Sequence, residues 1–254
     1  MLYSQEFGNG KSIVILHGFL GSSDNWRQIT KTFFNDHNVH LLDLRNHGNS
    51  FQSPISNYKC MSNDVIEYIS EKKLKNIILI GHSMGGKVAI ETASKIKSIS
   101  HLIIVDIVPK KYKADHHDVL NALKNSNFNS LKTITQCDVE LSKYVEEKSI
   151  RQFLIKNIKR NKNNEFKWKI NTNYIIDNYD NILEAPNIKD AITIPTLFIK
   201  GENSTYINKD DLETINKLFK NARIKTIQNS GHWIQAEKPI EFSAITKEFI
   251  SNDN

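Results

Sequence analysis

Ser83 stands in Gly81-His82-Ser83-Met84-Gly85-Gly86, with a glycine two residues before it and another two residues after. That spacing suits a serine lifted above a sheet edge on a strained strand-to-helix turn, where side chains at the flanking positions would collide. A seryl hydroxyl is a weak nucleophile until a base takes its proton, and His232, in Gly231-His232-Trp233 near the end of the chain, is placed to do so from a loop. Gly231 is expected to let the backbone turn sharply before it. Charge developing on an attacked carbonyl oxygen needs two backbone N–H donors. The expected pair is Met84, directly after the serine, and Phe19, in the glycine-bearing segment His17-Gly18-Phe19-Leu20-Gly21. His17 and His82 are expected to serve as structural hydrogen-bonding residues. The chemistry implied is acyl transfer through a covalent serine intermediate.

These groups need a scaffold that brings distant segments to one edge. Short apolar runs at Ser12 to Leu16, Val39 to Leu44, Asn76 to Ile80, His101 to Ile107, Thr196 to Lys200 and Arg223 to Ile227 read as strands. Helical patterns alternate with them at Trp26 to Phe34, Met61 to Lys72 (capped by Ser62 or Asn63), Gly85 to Lys97, Asp210 to Phe219 and Pro239 to Ile250. Alternating βα units predict an α/β fold, a mostly parallel central sheet with helices on both faces. Residues 109–191 break the rhythm. They show no convincing strand, carry the helical spacing Ile150, Phe153, Leu154, Ile158, and read as a helical cap (lid) inserted in a core made of 1–108 and 192–254. Such a cap would cover the carboxyl ends of the strands, where ligands of open α/β sheets bind.

Composition fits this picture. The chain has 254 residues, 39% hydrophobic and 24% charged, enough to bury a core without disulfides or metal. Its two cysteines, Cys60 and Cys137, have no metal-ligand or redox spacing, which fits a reducing compartment. No basic segment precedes an apolar run at the amino terminus and no stretch is long enough to span a bilayer, so a cytoplasmic protein without a membrane span is expected. Two patterns are set aside. Gly10-Lys11-Ser12 resembles the end of a phosphate-binding loop, but Gln5 stands where that loop needs glycine. Asp115-His116-His117-Asp118 has metal-ligand residue types, but adjacent helical histidines point apart, and no metal or other cofactor is expected.

Taken together, His17-Gly18-Phe19-Leu20-Gly21-Ser22, Asp24-Asn25, Asp43-Leu44-Arg45-Asn46-His47-Gly48-Asn49-Ser50, Gly81 to Lys87, Val105-Asp106-Ile107-Val108-Pro109 and Gly231-His232-Trp233 to Glu237-Lys238-Pro239 resemble the α/β-hydrolases over nearly the whole length, and closely the YbfF-type bacterial esterases. The usual hydrolase pattern places its acid three residues beyond Gly201, where this chain has Ser204. The resemblance to the YbfF type implies an early acid and a late serine, hence Asp106 as the triad acid, with Glu202 as the alternative and Ser204 as an auxiliary bonded to Asp106 or His232. It implies a carboxylesterase or thioesterase cleaving a small-molecule acyl ester or thioester. Acyl coenzyme A and acyl carrier protein are among the candidates, and nucleic acid is not. An acyl-carrier-protein methyl esterase or another triad-dependent acyl transfer is the alternative, followed by a non-catalytic binding protein on the same fold. Dehalogenase and epoxide hydrolase chemistry needs a carboxylate at the position of Ser83. A monomer or homodimer is expected. Lys143 to Lys169 holds nine Lys or Arg against three Glu, an excess equal to the net charge of +6 of the whole chain, so Lys159, Arg160 and Lys162 could attract an anionic substrate handle. Phe153, Phe166, Trp168 and Tyr174 are candidates for an acyl pocket.

Overall fold

A computed structural model describes residues 1–251. In chain order the elements are β1 (Ser4–Phe7), β2 (Lys11–Leu16), a 3-10 turn (Ser23–Trp26), α1 (Arg27–Phe33), β3 (His37–Leu42), α2 (Tyr58–Glu71), β4 (Ile77–His82), α3 (Met84–Ala93) and β5 (Ile99–Val105). There follow α4 (His117–Asn125), α5 (Ile134–Leu141), α6 (Lys148–Ile155), β6 (Ile158–Arg160), β7 (Phe166–Trp168), α7 (Thr172–Asp177) and α8 (Tyr179–Leu183). The chain closes with β8 (Thr196–Gly201), α9 (Asp211–Leu218), β9 (Ala222–Ile227), α10 (Ile234–Glu237) and α11 (Pro239–Ser251).

Seven strands form one sheet in the order β1-β3-β2-β4-β5-β8-β9. All neighbours are parallel except β1 and β3. The central strands are buried on both faces, and their residues alternate between two cores. Val14, Leu16, Leu79, Ile104 and Phe198 pack with α2, α3 and α9, whereas Ile13, Ile15, Ile80, Ile103 and Ile199 pack with α1 and α11. Each such side chain withdrawn from water contributes about 1.5–3 kcal/mol. The two-residue period therefore fixes the register, because a one-residue slip would exchange the faces.

The structure corrects several sequence expectations. β1, an antiparallel edge strand, was not expected; its four residues are partly exposed and show no apolar run. α2 starts at Tyr58, and its cap is Asn57, whose Oδ1 accepts from the Cys60 N–H at 2.9 Å, not Ser62 or Asn63. The segment between β5 and β8 does contain strands: β6 and β7 pair antiparallel, Ile158 opposite Trp168 and Arg160 opposite Phe166. The helical spacing ends at Ile155, and Ile158 belongs to the hairpin. This segment has its own apolar cluster, built from Val119, Leu123, Cys137, Leu141, Leu154, Phe166 and Ile175 among others.

Candidate active site

β4 ends at His82 and α3 begins at Met84, so Ser83 alone makes the turn, with φ 52° and ψ −119°. That backbone is strained for a side-chain-bearing residue and is held by the Ser83 N–H donating to the Val105 carbonyl at 3.0 Å. The flanking glycines are steric necessities. A Cβ at Gly81 would lie 2.3 Å from the Gly85 carbonyl oxygen, and one at Gly85 would lie 2.4 Å from the His17 carbonyl oxygen.

Asp106 follows β5 with φ 51° and is wholly buried. Its Oδ1 accepts from the Gly201 N–H at 3.1 Å. Its Oδ2 accepts from His232 Nδ1–H at 2.7 Å and from the Ser204 hydroxyl, whose oxygen in turn accepts from the Tyr206 N–H at 3.2 Å. With Nδ1–H donated to Asp106, the imidazole presents Nε2 as the basic nitrogen. Glu202 is elsewhere: it is exposed, and its Oε2 accepts from the Asn229 N–H at 2.9 Å. His232 and Ser83 line the same cavity.

Two features around His232, the Tyr206 stack and the Glu237 bracket, were missed in the sequence. Tyr206 stacks on the imidazole, with centroids 3.9 Å apart and planes 16° from parallel. The Glu237 carboxylate accepts from the Gly231 N–H at 2.6 Å and the Trp233 N–H at 3.1 Å, bracketing the histidine. His82, expected as a structural hydrogen-bonding residue, donates from Nε2–H to the His232 carbonyl at 2.9 Å. The left-handed residue of this loop is Asn229, φ 52°, two positions before Gly231. The Glu237-Lys238-Pro239 motif was visible, but a carboxylate reaching back to a loop is a tertiary contact that spacing does not encode.

The Phe19 segment is clipped by neutral histidines. His17 Nδ1–H donates to the Gly18 carbonyl at 2.8 Å while its Nε2 accepts from the Leu44 N–H at 3.0 Å. His47 Nδ1–H donates to the Arg45 carbonyl at 2.9 Å and its Nε2 accepts from the Leu20 N–H at 3.2 Å. Burial lowers the pKa of His17, of His82 well below the usual histidine value, and of His47 to about 3. Asn157, from the inserted segment, donates through Nδ2 to the Leu20 carbonyl at 2.7 Å, across from the His47 contact. Leu20 itself has φ 57°.

The cavity measures about 490 Å³ and takes its walls from Leu20, Trp26, Val119, Phe153, Leu154 and Trp233. Of the seven residues expected to line an acyl pocket or attract a substrate handle, Phe153 lines it and Phe166, Trp168, Tyr174, Lys159, Arg160 and Lys162 do not. Trp168 packs edge-on against Phe128, centroids 5.1 Å apart. Arg160 lies over the Phe166 ring at 4.1 Å and donates to the Asn164 carbonyl at 2.7 Å, and Lys159 is exposed on the same hairpin. Lys156, which does line the cavity, is the basic residue the sequence reading passed over. Asp115 and His116 also line it, joined by an Oδ1–Nδ1 contact of 2.7 Å.

A parallel sheet with helices on both faces, a serine on a strained turn after β4, and a histidine paired with a buried carboxylate define the α/β-hydrolase class. The family model described as alpha/beta hydrolase fold matches residues 11–134. The chain is 36% identical to the sn-1-specific diacylglycerol lipase ABHD11 of Danio rerio, over 92% of this chain and 77% of that protein. It is 33% identical to esterase YbfF of Escherichia coli K12, over 93% of this chain and 91% of that protein. A solved marine microorganism esterase superposes with a TM-score of 0.94 at 36% identity, covering 98% of both chains. The chain belongs to the α/β-hydrolase family, resembles its YbfF-type esterases, and is an ester hydrolase. Among the described residues no helix is long and apolar enough to cross a membrane.

Proposed function

We propose that the chain hydrolyses carboxylic esters and acyl thioesters of small molecules through an acyl-enzyme on Ser83. His232 Nε2 takes the proton of Ser83 Oγ as the oxygen bonds to the acyl carbon, and returns it to the leaving oxygen or sulfur as the acyl bond breaks. Water, deprotonated by the same nitrogen, then releases the acid and regenerates the serine. The Phe19 and Met84 N–H groups hold the oxyanion, Asp106 stabilises the imidazolium, and Ser204 orients Asp106. Residues 109–191 serve as the lid. Free Cys60 and Cys137 are in keeping with a cytoplasmic location. The observation that carries this reading is the 2.7 Å contact of His232 Nδ1 with the buried Asp106, in one cavity with Ser83.

The test is steady-state hydrolysis of a matched acyl series, as p-nitrophenyl esters, coenzyme A thioesters and glycerides, by the wild type and Ser83→Ala. Ser83→Ala should lose at least about 10³-fold in kcat. Activity retained in that variant would sink the acyl-enzyme, and esters cleaved without thioesters would confine the enzyme to oxygen leaving groups.

A further inference from the structure

Two chambers meet at Ser83. The larger, about 490 Å³, is bounded by His232, Trp233 and Phe153, and the smaller, about 40 Å³, by Met84, Tyr58, Ile107 and Ile182. Phe19, His116 and Tyr206 line both, whereas His232 lines only the larger. For acyl transfer this asymmetry has a chemical meaning. The imidazole that accepts the serine proton must deliver it to the leaving atom, so the leaving group lies on the side of His232. The chain on the acyl carbon is then directed away from the imidazole, toward the chamber beside Met84.

We infer that the small chamber receives the acyl chain and the large one the leaving group, so that the substrates are short, uncharged acyl groups joined to a bulky, largely apolar alcohol or thiol. This rests on the reading of Ser83 as the acyl-carrying nucleophile. Size supports it. The small chamber, about 40 Å³, is less than a tenth the size of the larger one, so the shorter branch of the substrate belongs there. The larger chamber, about 490 Å³, falls among cavities that hold whole ligands.

Polarity supports it as well, because three polar groups on the small chamber, those of Lys87, Tyr58 and Tyr112, are already engaged. Lys87 is 1% exposed, and its Nζ donates to the carbonyl oxygens of Ile182 at 3.4 Å, Leu183 at 3.2 Å and Glu184 at 2.7 Å. The Tyr58 hydroxyl donates to the Ile182 carbonyl at 2.6 Å. The Tyr112 hydroxyl donates to the Tyr206 carbonyl at 2.8 Å and accepts from the Val108 N–H at 3.1 Å. Ring faces and aliphatic groups are what these residues leave for a ligand. A malonyl or succinyl carboxylate would have to draw Lys87 off these carbonyls, giving up its 2.7 Å bond to Glu184. The other charged residues on the wall, Lys113 and Asp115, are exposed and of opposite sign.

The experiment measures kcat/KM on p-nitrophenyl acetate, butyrate, hexanoate, octanoate and monosuccinate, and on the acetates of ethanol, hexanol and 2-cyclohexylethanol. From butyrate to octanoate the value should fall at least about tenfold, succinate should trail butyrate, and the acetates should improve with alcohol size. Ile182→Ala should move the optimum to longer acyl chains. Phe153→Ala, on the other chamber, should instead alter the response to alcohol size. A preference for octanoate over butyrate, or an Ile182→Ala profile that coincides with the wild type, would overturn the assignment of chambers. Covalent labelling by a fluorophosphonate separates the two readings. A labelled, Ser83-dependent enzyme with the reverse preference loses only the chamber assignment, and an unlabelled one whose activity survives Ser83→Ala loses the acyl-enzyme too.

Discussion

Along the carboxyl ends of the strands, the floor of the cavity is fixed by buried side chains that accept from particular backbone N–H groups: Asp106 from Gly201, His17 from Leu44, His47 from Leu20, and Asp43 from Ser23 at 2.6 Å and Asn49 at 2.7 Å. The roof, residues 109–191, is joined to that floor in another way. It has its own apolar cluster, and its bonds to the core include Asn157 on Leu20, Asn178 on Pro54 at 2.9 Å, Asn181 on Ser56 at 3.0 Å, the Tyr58 hydroxyl on Ile182, and Lys87 rising from α3 to the end of α8. The contacts to Gly201, Leu44, Leu20 and Ser23 satisfy buried backbone donors, so their loss is costly. The roof contacts accept substitution more readily, and apolar packing holds a shape without dictating particular residues. The reacting groups Ser83, Asp106 and His232 thus lie in the floor, while the walls of the cavity come from both regions.

The floor should break first at Asp106. Asp106→Asn keeps the shape of the side chain but removes the charge that stabilises the imidazolium, and we expect a loss of about 10⁴-fold in kcat. Ser204→Ala removes one of three donors to the same carboxylate, and the expected loss is under about tenfold. Equal losses, or a near-silent Asp106→Asn, would transfer the acid role away from Asp106. Rapid-quench or steady-state rates on a single ester, with circular dichroism to confirm folding, settle which.

A second, smaller effect belongs to the neutral histidines. His47 has a folded pKa of about 3 against an ordinary value of 6.5, because burial disfavours its charged form. Between those two values the unfolded chain binds the extra proton. Stability from this group is therefore complete above pH 6.5 and is lost as the pH falls toward 3, at up to about 1.4 kcal/mol per pH unit. His17 and His82 shift in the same direction. Denaturant midpoints from pH 7.5 to 5 should fall on acidification. The slope should be shallower by about one proton in His47→Gln, and an unchanged slope would mean that His47 is not held neutral.

The same contrast explains what could be read from the sequence. The turn at Ser83 was legible because the glycine spacing records a steric requirement within five residues, and the strands because their apolar runs record burial on both faces. Asp106 became legible only through the resemblance, since nothing local says that the carboxylate after β5 reaches a histidine 126 residues later. The hairpin of β6 and β7 was missed because each strand is only three residues long, too short for an apolar run or an alternation to stand out. The stack of Tyr206 on His232, and the shape of both chambers, arise where loops from separate elements meet, and no periodicity marks them.

The smallest expected effect concerns the roof's outer face. The basic excess of residues 143–169 suggested a handle for an anionic substrate, but Lys159, Arg160 and Lys162 are exposed on the hairpin and its turn, and none lines the cavity. Arg160 is further committed to the Lys132 carbonyl at 2.5 Å and to the Asn164 side chain at 3.0 Å. At about 0.1 M salt, exposed charges farther than a Debye length of roughly 10 Å from a ligand are largely screened. Neutralising all three to Gln should therefore change kcat/KM for a coenzyme A thioester by less than about twofold at physiological salt, and little more at low salt. Lys156 lines the cavity and makes the sharper contrast. If Lys156→Gln lowers thioester turnover in a salt-dependent way while the triple variant does not, the charge that matters is the one on the cavity wall. A salt-dependent loss in the triple variant would instead extend the substrate's path across the hairpin, and the roof would then recognise charge as well as shape.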